Sequence, residues 1–147
     1  MLFRSFKRLL NSLINFDDLS PEHEVIIIDN NSIPSLEHLE LVQNFLNFKS
    51  ESTLVRESKS GLTAARIAGI KNAKYNWLIF FDDDNEPEAD YLTSAADIIN
   101  IHPQVGVWGP GVVNVEYIGK ANKWFQDNKR YFQQRNALQV DFALQLH

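Results

Sequence analysis

Residues 77–84 constrain this chain more than any other stretch. Five large apolar residues, Trp77, Leu78, Ile79, Phe80 and Phe81, run directly into three carboxylates, Asp82, Asp83 and Asp84. An apolar run without alternation reads as a strand buried on both faces. Asn85, Glu86 and Pro87 cannot continue it, so the strand is expected to end at the acids. Ligands of open α/β sheets bind beyond the carboxyl ends of the strands. Like charges packed together raise one another's pKa, and a divalent cation removes that repulsion. Oxygen ligands of this kind suit Mg²⁺ or Mn²⁺, which can in turn hold a phosphate-bearing substrate. A solvated acidic turn that caps the next helix accounts for the same triplet.

A length of 147 residues gives room for one domain, residues 1–147, with a single core. A net charge of −5 argues against a nucleic-acid partner held by phosphate contacts. No cysteine is present, so disulfides, thiol nucleophiles and thiolate metal sites are excluded. His23, His38, His102 and His147 are scattered without ligand spacing.

Along the chain, Leu2, Phe6, Leu9, Leu10, Leu13 and Ile14 recur at helical spacing, with Arg4, Lys7 and Arg8 on the other side. Lys7 and Arg8 interrupt what would otherwise resemble a signal peptide, and the segment is too short and charged to span a bilayer. A core-facing helix and a basic helix lying on a membrane both fit the pattern; Asp17 and Asp18 favour the first. Val25, Ile26, Ile27 and Ile28 form a β-branched strand that ends in the turn cluster Asp29, Asn30, Asn31 and Ser32. Pro34 and Ser35 open a helix with Leu36, Leu39, Val42, Phe45 and Leu46 on its apolar face. Residues 53–56 read as a strand, 58–61 as a loop, and 62–73 as a helix. Gly69 inside that last helix suggests close packing on the sheet. Further on, a helix over 88–101, strands over 105–108 and 112–117, and a helix over 121–134 are predicted.

This order of elements predicts a three-layer α/β/α, Rossmann-like fold with a mainly parallel sheet and the 77–81 strand at its centre. Right-handed crossovers would gather Asp29, the 58–61 loop and the acids 82–84 at one edge. Asp29 then stands where nucleotide-binding folds place a ribose- or base-reading acid, or it belongs to an ordinary Asp-Asn turn. Arg66 lies about one helical turn past Gly61 and is otherwise a helix-surface arginine. Neither a dinucleotide fingerprint nor a P-loop pattern is present.

Three segments in register resemble the family 2 glycosyltransferases of GT-A fold: Glu24 to Ser32, Gly61 to Arg66, and Phe80 to Asp84 with Pro87, Tyr91 and Leu92. Order and spacing match from about residue 5 to about residue 115. The resemblance implies a transferase that takes sugar from a nucleotide-diphosphate sugar, assisted by Mn²⁺ or Mg²⁺ through a DXD motif. It places Asp29, Asn31, Gly61, Arg66, Asp82 and Asp83 at the nucleotide-sugar site. Asp29 reads the base, Arg66 lies beside the nucleotide, Asp82 contacts ribose, and Asp84 with Asp82 holds the metal. The acceptor is a glycan, lipid or protein that the resemblance does not name. The expected location is the cytoplasm, with peripheral association of the full-length protein at the inner membrane face as an added expectation.

Departures from the family pattern are specific. The family's opening strand, of the type apolar-Pro-Thr-Tyr-Asn, has no counterpart before the first helix, and Ile67 stands where asparagine is usual. Beyond Trp108 the acids are Glu116, Asp127 and Asp141, none in the Glu-Asp pair that supplies the family's catalytic base. The expectation is therefore a donor-binding part lacking the acceptor part, with an exposed sheet edge. A non-catalytic nucleotide-binding or interaction module fits the same residues. A phosphotransferase with Asp82 as nucleophile fits less well, because Glu86 stands where such enzymes carry threonine.

Overall fold

In the computed structural model, residues 3–16, 21–109, 120–128 and 131 are described. The chain divides into two compact units, Met1–Asp97 and Ile98–His147.

The first unit opens with helix α1, Arg4–Ile14. Its apolar spacing does what the sequence predicts: Phe6, Leu9, Leu10 and Leu13 are buried, while Arg4 and Lys7 face solvent. The apolar stripe is covered by protein, so α1 is a core helix. Strand β1, Val25–Asp29, pairs in parallel with β2, Ser52–Arg56, in a register running from Val25 opposite Ser52 to Asp29 opposite Arg56. Between them lie a 3₁₀ turn, Leu36–His38, and α2, Glu40–Phe48. The predicted single helix from Pro34 is broken at Leu39, whose ψ of 118° is extended. Helices α3, Leu62–Asn72, and α4, Tyr91–Ile101, follow.

Successive strand residues point to opposite faces of a sheet. Ile27 is buried in a cluster with Phe6, Leu9, Leu10, Leu13, Leu36, Val42 and Phe45, which come from α1, the 3₁₀ turn and α2. Ile28, its neighbour, points the other way, and its Cγ1 would lie 3.9 Å from a Cβ placed on Gly69 of α3. The sheet is therefore covered on both faces, by α1 and α2 on one and by α3 on the other. This is the predicted three-layer arrangement, built around two strands.

The expectation of a central strand over 77–81 is corrected. The sheet of the described residues contains β1 and β2 alone, and 77–81 is not part of it. Trp77, Leu78 and Phe80 are 43%, 39% and 47% exposed, so the run is not buried on both faces. The physical reason is that no strand of the described residues stands beside it: an apolar run becomes a strand only where another backbone offers it hydrogen bonds. Phe81 alone of the five packs against the α1–α2 cluster, and its ring meets Tyr91 edge-on at 5.4 Å. Helix α4 starts at Tyr91 rather than at residue 88, because residues 88–91 close a turn first, Tyr91 N–H donating to Glu88 C=O at 3.1 Å.

In the second unit, residues 105–108 are not a strand either: Val105 N–H closes a turn on His102 C=O at 3.0 Å, and Val107 is 89% exposed. A five-residue helix, α5, spans Lys123–Asp127, with the Asn122 side chain accepting from Phe125 N–H at 2.8 Å. The predicted strand over 112–117 lies outside the described residues, as do 129–130 and 132–134 of the helix expected over 121–134.

Candidate functional site

The carboxyl ends of β1 and β2 carry the polar loops, as the crossover rule requires. The chain leaves β1 through Asp29, Asn30 and Asn31, and these three neighbours do different things.

Asp29 is 1% exposed. Its Oδ1 accepts from Ser32 N–H at 2.8 Å, and its Oδ2 accepts from Ser35 Oγ–H at 3.0 Å, Leu36 N–H at 3.1 Å and Arg56 Nη1 at 3.2 Å. Burial alone would push this carboxyl up, but the hydrogen bonds from Ser32, Leu36 and Ser35 outweigh it and hold it below the usual aspartate range. Asp29, expected to read the base, is thus buried in this structure with both oxygens already taken. A carboxylate this buried, and filled by donors of its own loop, presents no surface to a ligand. It builds the turn.

Asn30 ties this turn to the next loop. Its Oδ1 accepts from Gly61 N–H at 2.7 Å, and its Nδ2 donates to Lys59 C=O at 2.7 Å and, more loosely, to Glu57 C=O at 3.4 Å. Asn31 stands at φ 61°, in the left-handed region, and is exposed. Asparagine is among the few residues that adopt this conformation without a large penalty.

Gly61 starts α3 at φ 122° and ψ 145°, a conformation nearly reserved for glycine. A Cβ there would meet nothing within 4 Å, so backbone conformation rather than crowding requires the glycine. One turn on, Arg66 lies over the Phe80 ring, 5.5 Å from its centroid, with Nη2 at 3.7 Å from Asp82 Oδ1. Its side chain is 46% exposed, so this pair is an adaptable contact rather than a locked one.

Asn85 organises the acid turn. Its Oδ1 accepts from Asp82 N–H at 2.9 Å, its Nδ2 donates to Asp84 Oδ1 at 3.2 Å, and its own N–H donates to Asp82 C=O at 3.0 Å. Asp82, Asp83 and Asp84 are all exposed. Among the described residues no group of three or more His, Cys, Asp or Glu side chains is arranged to hold a metal ion. The donor set still fits a hard cation in part. Two carboxylates at a turn would supply some of an oxygen shell, and phosphate oxygens and water would have to complete it.

One predicted juxtaposition is therefore formed, the β1 turn with the 58–61 loop through Asn30, and the contact of Arg66 with Asp82 is an addition to it. Sequence reasoning missed Asn30 and Asn85. Both are Asx residues in turn clusters, where side chains habitually bond nearby backbone, and that was the available signal.

The family model of glycosyl transferase family 2 matches residues 4–143, nearly the whole chain. The chain belongs to glycosyl transferase family 2. No curated protein and no solved structure matches it. Membership makes this a glycosyltransferase-like chain of the GT-A, Rossmann-like α/β type, and the parallel β1–β2 pair between helices agrees with that fold. No helix among the described residues is long and apolar enough to cross a membrane.

Proposed function

We propose that this chain binds a nucleotide-diphosphate sugar at the carboxyl edge of β1 and β2 and takes part in its transfer to a glycan, lipid or protein acceptor, assisted by Mn²⁺ or Mg²⁺. The observation that supports it best is the placement of Arg66 over Phe80 and beside Asp82, at the mouth of the glycine-started helix α3. A guanidinium there can turn from Asp82 to a diphosphate with little rearrangement, and it remains charged at every working pH.

The residues then take these roles. Arg66 offsets the diphosphate charge. Asp82 accepts from ribose hydroxyls. Asp84, with Asp82, holds the cation, and Asp83 adds negative charge beside them. Gly61 lets the backbone start α3 close to the nucleotide, and Asn31, on the exposed side of the β1 turn, lines the rim. When bound, the cation supplies a Lewis acid that stabilises charge on the departing nucleotide diphosphate. A second reading is a nucleotide-binding module that does not transfer, since the groups named above serve donor binding alone.

Calorimetry of UDP and GDP with and without MnCl₂ tests the binding claim. Affinity that rises with Mn²⁺ is expected, and equal affinity in both conditions would remove the metal role from Asp84. Nucleotide release from UDP-, GDP- and dTDP-sugars with a panel of acceptors separates the two readings. Turnover supports the enzyme, and metal-dependent binding without turnover supports the module.

A further inference from the structure

Among the described residues, 77–81 pairs with neither β1 nor β2, so neither strand holds the acid turn. Something else must keep Asp82 and Asp84 in place. Among the described residues, three contacts from outside the turn bear on it. Phe81, just before the acids, packs against the cluster built partly by α1. Arg66 of α3 approaches Asp82 at 3.7 Å. Further along the turn, Arg8 of α1 forms an ion pair and hydrogen bond with Glu86, two residues past Asp84.

These two arginines are not equivalent once a donor binds. On the donor-site reading above, on which this inference rests, Arg66 turns towards the diphosphate, and its loose pair with Asp82 is given up. Arg8 meets Glu86, at the other end of the turn from Asp82, and stands on a helix whose buried face anchors it in the core. Its contact with Glu86 is the ionic tether that remains. It also pairs the carboxylate two residues past Asp84 with a cation of its own. We propose that Arg8 is a positioning residue, which through Glu86 holds the 82–86 acid turn in the arrangement that receives a divalent cation and a nucleoside diphosphate.

The tether is readable without any turnover. The variants are Arg8→Gln, Glu86→Gln, the conservative Arg8→Lys, and the charge swap Arg8→Glu with Glu86→Arg. Both side chains are partly exposed, at 41% and 49%, so the core is unchanged and thermal midpoints are expected to stay close to that of the parent chain. Amide hydrogen exchange of residues 82–86 in the metal-free chain reads the position of the turn directly. Calorimetry of UDP and GDP in MnCl₂ reads its consequence. Each single charge removal is expected to speed exchange in the turn and to weaken Mn²⁺-dependent affinity about two- to five-fold, the range of a surface ion pair. Arg8→Lys and the swap are expected to recover both. Unchanged exchange and affinity in the single variants, or no recovery in the swap, would overturn the proposal. If the parent chain binds neither nucleotide, the donor-site reading fails on its own, while the exchange experiment still decides whether Arg8 tethers the turn.

Discussion

Replacing Asp29 by asparagine separates two roles for the same residue. If Asp29 is structural, as its geometry indicates, the change acts on stability. The amide introduced by Asp29→Asn can keep an oxygen where Oδ1 accepts from Ser32 N–H. Its NH₂ then replaces Oδ2, which accepts from Leu36 N–H, Ser35 Oγ–H and Arg56 Nη1. The Ser35 hydroxyl can rotate and accept instead. Arg56, 46% exposed, can turn to water at little cost. Leu36 N–H cannot do either, because it belongs to a buried residue. Leaving it unpaired costs about 1–3 kcal/mol. The Ser32 bond loses its charge assistance, which adds about 1 kcal/mol. The sum is about 2–4 kcal/mol.

At about 4 °C per kcal/mol for a chain of this size, the midpoint should fall by about 8–16 °C. Urea and thermal denaturation followed by circular dichroism measure it. The same carboxyl sets a pH dependence. Its pKa is lowered in the folded chain, so the unfolded chain binds the proton more readily. Its contribution is full above the unfolded pKa and is lost as pH falls through the folded one, so stability should decline from about pH 4 downward. Asp29→Asn should flatten that decline. A variant as stable as its parent but about ten-fold weaker for UDP would refute the reasoning and return Asp29 to the ligand.

Other substitutions give equally direct outcomes. Gly61→Ala should destabilise by about 1–3 kcal/mol in urea denaturation through its backbone conformation alone, since the added methyl has open space. Gly69→Ala should be neutral or stabilise by up to about 1 kcal/mol in the same assay, because the new Cβ meets Ile28 and Phe80 at 3.9 and 4.0 Å, ordinary contact distances. Asp84→Asn should abolish the Mn²⁺ dependence of UDP affinity in calorimetry, whereas Asp97→Asn, on exposed helix surface, should leave it intact.

What was legible in the sequence was whatever depends on a residue and its near neighbours. The spacing of Phe6, Leu9, Leu10 and Leu13 gave α1 and its buried face. The β-branched run at 25–28 gave β1, and the alternation of elements gave the layers. Failures came where a partner distant in sequence decides the outcome. The 77–81 run has the composition of a central strand, but composition reports what can be buried, not whether a backbone stands beside it. Gly69 was read as a sign of tight packing, yet the space beside it accommodates a methyl group. The Arg8–Glu86 pair joins residues 78 positions apart and leaves no local pattern.

The three polar residues after β1 show how far a motif can be read. An Asp-Asn-Asn sequence at a strand end marks a turn near a ligand site, but it does not say which side chain meets the ligand. Physical chemistry does. Asp29 ends the strand with its side chain inward, where a carboxylate survives only if donors surround it, and the loop that follows supplies Ser32, Ser35 and Leu36 for that purpose. Asn30 carries a donor and an acceptor on one rigid amide, which suits it to join two backbone segments, at Gly61 and Lys59. Asn31 then takes the left-handed conformation that reverses the chain and puts its side chain outside. Of the three, it is the one whose side chain is exposed, and so the one the proposed donor site draws on. The carboxylate that looked functional fixes the turn from which the inconspicuous amide reaches solvent.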